Sequence, residues 1–237
     1  MSAIASTELT VASRKSNRAF AQSLHIVHSP ADYRFRLVRT PIGGGAKRAF
    51  DLVAASSALV VLGPALLLIA LLVRLDSKGP ALFRQRRTGF RGRSFQVLKF
   101  RTMRQTDDGA VVRQAQRNDP RVTRLGAFLR KTSLDELPQL INVVAGDMSL
   151  VGPRPHAVPH DHIFSGVDRD YAARFVARPG ITGLAQVRGE RGLSDTSEKI
   201  KARLRFDLNY VQDWSMQKDI TILVSTVRVL LHDPNAF

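Results

Sequence analysis

The chain contains no cysteine, so disulfides and thiolate metal sites are excluded and redox chemistry says nothing about its compartment. Aromatic residues are sparse, 7% of 237 with one Trp and three Tyr, which argues against a nucleic-acid module built on base stacking. The first residues lack a short apolar stretch ending in a small-residue cleavage site, so secretion is not expected. Acids are scarce too: Asp and Glu total 20 against 36 Lys and Arg, a net charge of +16. That excess implies an anionic partner, whether nucleic acid, lipid headgroup or phosphorylated substrate, and charge alone does not choose among them. It also makes adjacent carboxylates conspicuous.

What is present begins with residues 1–45, poor in spaced apolar residues and ending in Pro41-Ile42-Gly43-Gly44-Gly45, which read as a mobile basic arm. Residues 46–78 change character: Lys47-Arg48 and Asp51 precede 22 uncharged, mostly apolar residues from Leu52 to Val73. As one straight helix that run measures about 33 Å, enough to cross a hydrocarbon core of about 30 Å. Gly63-Pro64 lies at its midpoint, where Pro removes a donor and crowds the preceding turn, so a kink or reversal is expected. Lys47 and Arg48 on one side, and Arg74, Lys78, Arg84, Arg86 and Arg87 on the other, favour both ends on the cytoplasmic face. A re-entrant membrane helix broken at Gly63 and Pro64 follows. The bland alternative is a Pro-kinked core helix of a soluble protein.

Residues 79–237 read as a cytoplasmic catalytic domain, mostly helical with little strand, an α+β arrangement on a membrane surface. Strand and turn patterns occupy 79–103, with weak alternation at Phe95, Val97 and Lys99. Residues 74–101 hold nine basic side chains and one acid, a surface suited to anionic headgroups and substrate phosphates. A polar loop or short helix follows at 107–120, then a helical pattern over 126–144 carried by Leu134, Leu137, Ile141 and Val144. His160 and His162 flank Asp161, a metal-ligand spacing whose ordinary reading is a solvated loop.

Within the helical pattern stands Ser133-Leu134-Asp135-Glu136-Leu137-Pro138-Gln139. Ser133 and Glu136 have the spacing of a capping box, and Asp135 and Glu136 sit near a positive helix end that keeps carboxylates ionised. Ordinary acidic capping and a phosphoryl-transfer nucleophile are both consistent with this pair. Downstream, Arg154 lies between Pro153 and Pro155 and Arg178 precedes Pro179, rigid settings for guanidinium groups that clamp phosphates.

Several long motifs in order give these residues a resemblance: 47–51, 99–103, 118–123, 132–140, 146–155 and 178–186. Together they resemble the bacterial sugar transferase family, the monotopic polyprenyl-phosphate phosphoglycosyl transferases, over residues 46–237. Thr123 to Gly126, Pro155 to Val158 and Arg191 to Lys199 look most like members that transfer glucose 1-phosphate. The resemblance implies that Asp135 attacks the sugar-bearing phosphorus of a UDP-sugar, releases UMP and holds the sugar phosphate until undecaprenyl phosphate removes it. Glu136 would assist as base or metal partner, and Asp135, Glu136 and Asp219 would hold Mg²⁺. Lys99, Arg101, Arg130, Arg154 and Arg191 are candidates for neutralising phosphate charge. The implied setting is the cytoplasmic face of the bacterial inner membrane, in exopolysaccharide or capsule synthesis, against anionic lipids, with no nucleic-acid partner and with homo-oligomer formation left open. Two departures stand out: Gly63 where many members have Ser before the helix-breaking Pro, and Leu184 where many have Trp.

Overall fold

The structure is a computed structural model that describes residues 40–104, 119–190, 192 and 196–232. Most of the expected N-terminal arm, and the polar stretch 105–118, lie outside these residues. Helix α1 spans Gly44–Asp76, 33 residues in one uninterrupted run, starting two residues before the expected boundary. By length and composition it could cross a membrane.

The helix does not end or reverse at Gly63-Pro64, as the sequence had suggested: Pro64 lies inside it and faces outward. A proline costs its turn one hydrogen bond. Here the helix continues through that position with packing on both sides, Leu62 joining one core cluster and Leu66 the next. Lys47, Asp51, Ala55, Ala58, Leu62, Leu66, Ile69 and Val73 fall on one stripe facing the protein. Val60, 80% exposed, and Val53, Leu67, Leu68, Leu71 and Leu75 face away.

Both ends of α1 are tied to the body that carries the remaining elements. At the N-terminal end the Lys47 ammonium reaches Asp219, Arg48 donates to the carbonyls of Val143 and Val144, and Asp51 accepts from the Leu150 amide. At the other end Arg101 donates to the carbonyls of Val73 and Ser77 and to the Ser77 hydroxyl. The last carbonyls of a helix lack intrahelical donors, so a buried guanidinium is well used there.

The strand pattern after α1 resolves into an antiparallel hairpin, β1 (Leu82–Thr88) and β2 (Ser94–Phe100), with Leu82 opposite Phe100 and Thr88 opposite Ser94. The helical pattern of 126–144 divides in three: α2 (Arg124–Lys131), a 3₁₀ turn (Leu134–Glu136) and α3 (Gln139–Ala145). Asn142 of α3 accepts from the Leu98 amide and donates to the Gln96 carbonyl, completing the open edge of β2 as a strand would. Strands β3 (Ser149–Val151) and β4 (Gly180–Thr182) pair in parallel. Their backbones meet so closely at Gly152 and Gly180 that a Cβ on Gly180 would lie 2.1 Å from the Gly152 nitrogen. Helix α4 (Val158–Val167), a 3₁₀ segment (Arg169–Val176), and α5 (Leu184–Val187), α6 (Ser197–Gln212) and α7 (Met216–His232) complete the chain.

Asp219 opens α7 and is fully buried. One oxygen accepts from the Tyr210 hydroxyl at 2.8 Å; the other accepts from Lys47 and from the Trp214 indole at 3.2 Å. Asp219→Ala leaves the buried Lys47 ammonium without its carboxylate and the half-buried Trp214 indole without its acceptor, while the Tyr210 hydroxyl keeps only the Val151 carbonyl, a loss expected to cost about 3–5 kcal/mol. Thermal or denaturant unfolding of the detergent-solubilised chain should show a correspondingly lower midpoint. An unchanged midpoint would contradict the role given to this contact.

Candidate active site

Asp135 and Glu136 share the 3₁₀ turn between α2 and α3. Helix α2 ends where the Thr132 hydroxyl turns back to donate to the carbonyls of Phe128 and Leu129. The next residue, Ser133, adopts a left-handed backbone at φ 56°, uncommon for a side chain other than Gly, Asn or Asp. The expected capping box does not form: Ser133 makes no side-chain cap. The Glu136 side chain is engaged elsewhere. Pro138 then stands at the N-terminal cap of α3, where its missing donor costs nothing.

Glu136 accepts from Lys99 of β2 at 2.6 Å, and Arg154 donates to its two oxygens at 2.6 and 3.1 Å. Planar forks of this kind are among the stronger charge-assisted pairs. Burial alone would raise the Glu136 pKa, yet Arg154 and then Lys99 outweigh it and hold the carboxyl well below its usual range. Burial weakens the hold of Lys99 on its proton, while Glu136 makes Arg154 hold its own more tightly. The neighbouring Asp135, 8% exposed, behaves oppositely. Burial raises its pKa to about 6; Lys99 pulls it down, Glu136 pushes it up, and Arg130 and Arg154 contribute weaker downward pulls. Among the described residues none donates a hydrogen bond to Asp135. The turn therefore presents two different carboxyls: Glu136 ionised and clamped by cations, Asp135 less acidic and unclamped.

Five sequence candidates, Asp135, Glu136, Lys99, Arg154 and Arg130, thus come together. Arg101 does not join them. Its guanidinium is buried against the end of α1, so it serves the helix terminus and not a phosphate. Asp219 is also elsewhere, both oxygens taken by Lys47, Tyr210 and Trp214, so the expected trio of metal ligands is not assembled. Arg191 lies outside the described residues. Arg178, proposed from its neighbouring proline as a phosphate clamp, donates instead to the Gly146 carbonyl behind α3. The His160-Asp161-His162 reading likewise gives way. Asp161 accepts from the Tyr171 hydroxyl at 2.6 Å, His160 stacks on Phe164, and among the described residues no group of three His, Asp or Glu is placed to hold a metal.

Sequence reasoning missed a buried polar hub beneath Arg154: His156, Asp161, Tyr171, Arg174, Arg203 and Asp207. Arg174 donates to the Arg154 carbonyl and pairs with Asp207 at 2.7 Å. Arg203 donates to the carbonyls of Glu190 and Gly192. Burial, then the charges of Arg174, Arg203, Arg87 and Arg154, keep His156 neutral, its pKa well below the usual value. A neutral ring suits the hub, since an arginine can only donate to it.

The model of the family described as bacterial sugar transferase matches residues 43–233. The chain belongs to the bacterial sugar transferase family. It is 54% identical over 191 residues to a UDP-glucose:undecaprenyl-phosphate glucose-1-phosphate transferase of Caulobacter vibrioides, covering 81% of this chain and 72% of that protein. An Escherichia coli protein of the same name is 50% identical over 194 residues, and there 81% of this chain corresponds to 42% of the relative, less than half its length. Exopolysaccharide production protein PSS of Rhizobium leguminosarum is 50% identical over 186 residues, 76% of this chain and 92% of its own.

The two carboxyls of this sugar transferase separate chemically. Carbodiimides react with protonated carboxyl groups, so in metal-free protein modification of Asp135 should increase as pH falls through about 6, while Glu136 stays unmodified until far lower pH. Peptide mapping by mass spectrometry checks this. Parallel pH profiles for the two residues would contradict it.

Proposed function

We propose that the chain transfers glucose 1-phosphate from UDP-glucose to undecaprenyl phosphate, with Asp135 as covalent nucleophile. The observation that carries the reading is the contrast within one turn: an unclamped carboxyl at Asp135 beside a cation-saturated Glu136. In the first step an Asp135 oxygen forms a bond to the sugar-bearing phosphorus while the bond to the bridging oxygen breaks and UMP leaves with the electron pair. In the second, the acceptor phosphate oxygen attacks the same phosphorus and the Asp135 carboxylate is released. At neutral pH a group of pKa about 6 is mostly ionised yet more basic than an ordinary aspartate, a useful balance for a nucleophile.

An anionic nucleophile approaching a diphosphate meets repulsion, which Lys99, Arg154 and Arg130 are placed to offset. Glu136, strongly acidic and tied to two cations, is a poor base. Its better use is to hold Lys99 and Arg154 over the nucleophile. Mg²⁺ is commonly held by one or two carboxylates together with substrate phosphates. Lys99 and Arg154 occupy both oxygens of Glu136, as Lys47, Tyr210 and Trp214 occupy those of Asp219, so of the expected ligands Asp135, with the substrate phosphates, would hold the ion. The ion would add positive charge against the diphosphate.

The relatives named for UDP-glucose support glucose as the sugar, and those named for exopolysaccharide production support that pathway class. The ties at both ends of α1 support a helix whose exposed apolar stripe enters one leaflet while both ends stay on the cytoplasmic face.

Asp135→Asn keeps the shape and removes the nucleophilic charge, so turnover with UDP-glucose and undecaprenyl phosphate should fall by about 10³-fold or more. Near-normal turnover would remove Asp135 from the chemistry. A donor panel in the same assay tests the sugar, with UDP-glucose expected ahead of UDP-galactose and the UDP-N-acetylhexosamines; another order rejects glucose and leaves the transferase reading standing. Cysteines replacing Ala46 and Lys78, beyond the two ends of the apolar run, should both label from the cytoplasm and neither from the periplasm. Periplasmic labelling of one would show a full crossing.

A further inference from the structure

Arg154 is fixed twice. Its side chain forks onto Glu136, and its backbone carbonyl accepts from Arg174 Nη2 at 2.5 Å. Pro153 and Pro155 restrict the backbone on either side, so pinning that carbonyl sets the direction in which the Arg154 side chain leaves. Arg174 is itself only 2% exposed, in the 3₁₀ segment Arg169–Val176, where nothing but its partners offsets the loss of water. Those partners all belong to the buried hub. Asp207 of α6, also 2% exposed, pairs with Nη2 at 2.7 Å, and Nη1 lies 2.8 Å from both the Tyr171 hydroxyl and His156 Nδ1. The His156 nitrogen must be the acceptor in that contact, because a guanidinium has donors only. The fork therefore spends Nη1 and one side of Nη2 on three anchors and presents a single Nη2 donor to the back of Arg154.

We propose that Arg174, held by Asp207, is a positioning residue for Arg154: it sets the guanidinium that clamps Glu136 and meets the donor diphosphate. The inference rests on the reading of Arg154 given under the proposed function. Lysine cannot replace the fork, since one ammonium does not reach Arg154, Asp207 and the Tyr171–His156 pair with the same planar geometry. A misplacement of the order of 1 Å at such a group is enough to cost about 10²-fold in rate.

The test is a double-mutant cycle on the full chain in detergent or nanodiscs, using Arg174→Lys, Arg154→Ala and the pair. Arg174→Lys alone should lower kcat/KM for UDP-glucose by about 10²-fold. In the Arg154→Ala background it should add a loss of less than about twofold, because a residue that acts only through Arg154 has nothing left to position. Losses that multiply would overturn the proposal and leave Arg174 a general structural residue. Asp207→Asn, which keeps the volume and an acceptor, is the second arm should Arg174→Lys fail to fold. It should give a smaller loss that likewise vanishes when Arg154 is absent, and a loss that persists would count against the proposal. The same cycle read as UDP affinity by calorimetry repeats the test without turnover. Wild-type protein that neither turns over nor binds UDP would sink the underlying reading and this inference together. Wild-type turnover with multiplicative losses would sink the inference alone.

Discussion

The clamp of Arg154 and Lys99 on Glu136 is the constraint from which the rest of the site follows. Three charged groups partly withdrawn from water are costly unless they satisfy one another, and the fork of Arg154 with the ammonium of Lys99 does so. Once Glu136 has absorbed these cations, its neighbour is left buried without a clamp. Burial then raises Asp135 instead of the usual pairing lowering it. One turn thus contains a clamped carboxyl and an unclamped one, separated by environment and not by residue type.

That arrangement depends on distant segments. Lys99 comes from a strand edge completed by Asn142, and Arg154 from a stiff proline-flanked stretch whose carbonyl is pinned from behind. Helix α1 is tied at one end through Lys47 to Asp219 and at the other through Arg101, with its apolar stripe turned outward. The charge-neutralising site and the apolar surface therefore belong to one body. Such a layout suits a reaction that joins a water-borne nucleotide sugar to a lipid carrier.

Much of this was legible in the sequence. Weak alternation around Val97 pointed to a strand, which the structure pairs into a hairpin, and the Asp135-Glu136 pair with Lys99 and Arg154 was found because few acids stand among many cations and because the motifs resemble one family. The parts that were not legible depend on contacts between distant residues. An apolar run of 22 residues has no polar side to reveal its facing stripe, and the helix, packed at Leu62 and Leu66, continues through Pro64, which local rules treat as a break. Arg101 and Lys99 look alike two positions apart, yet the free carbonyls at the end of α1 claim the first. Asp219 resembled a metal ligand until Lys47, 172 positions away, was seen to occupy it. Arg174 gave no signal because its partner Asp207 sits on a different element.

The central claim is that Asp135 carries the sugar phosphate between donor and acceptor. The most direct measurement incubates the purified chain with UDP-glucose alone, without polyprenyl phosphate, and follows UMP release and intact protein mass. The account predicts one UMP per chain in a single burst and a matching gain of a hexose phosphate on the peptide that contains Asp135, discharged when undecaprenyl phosphate is added. No UMP without acceptor, or an adduct on another residue, would contradict it.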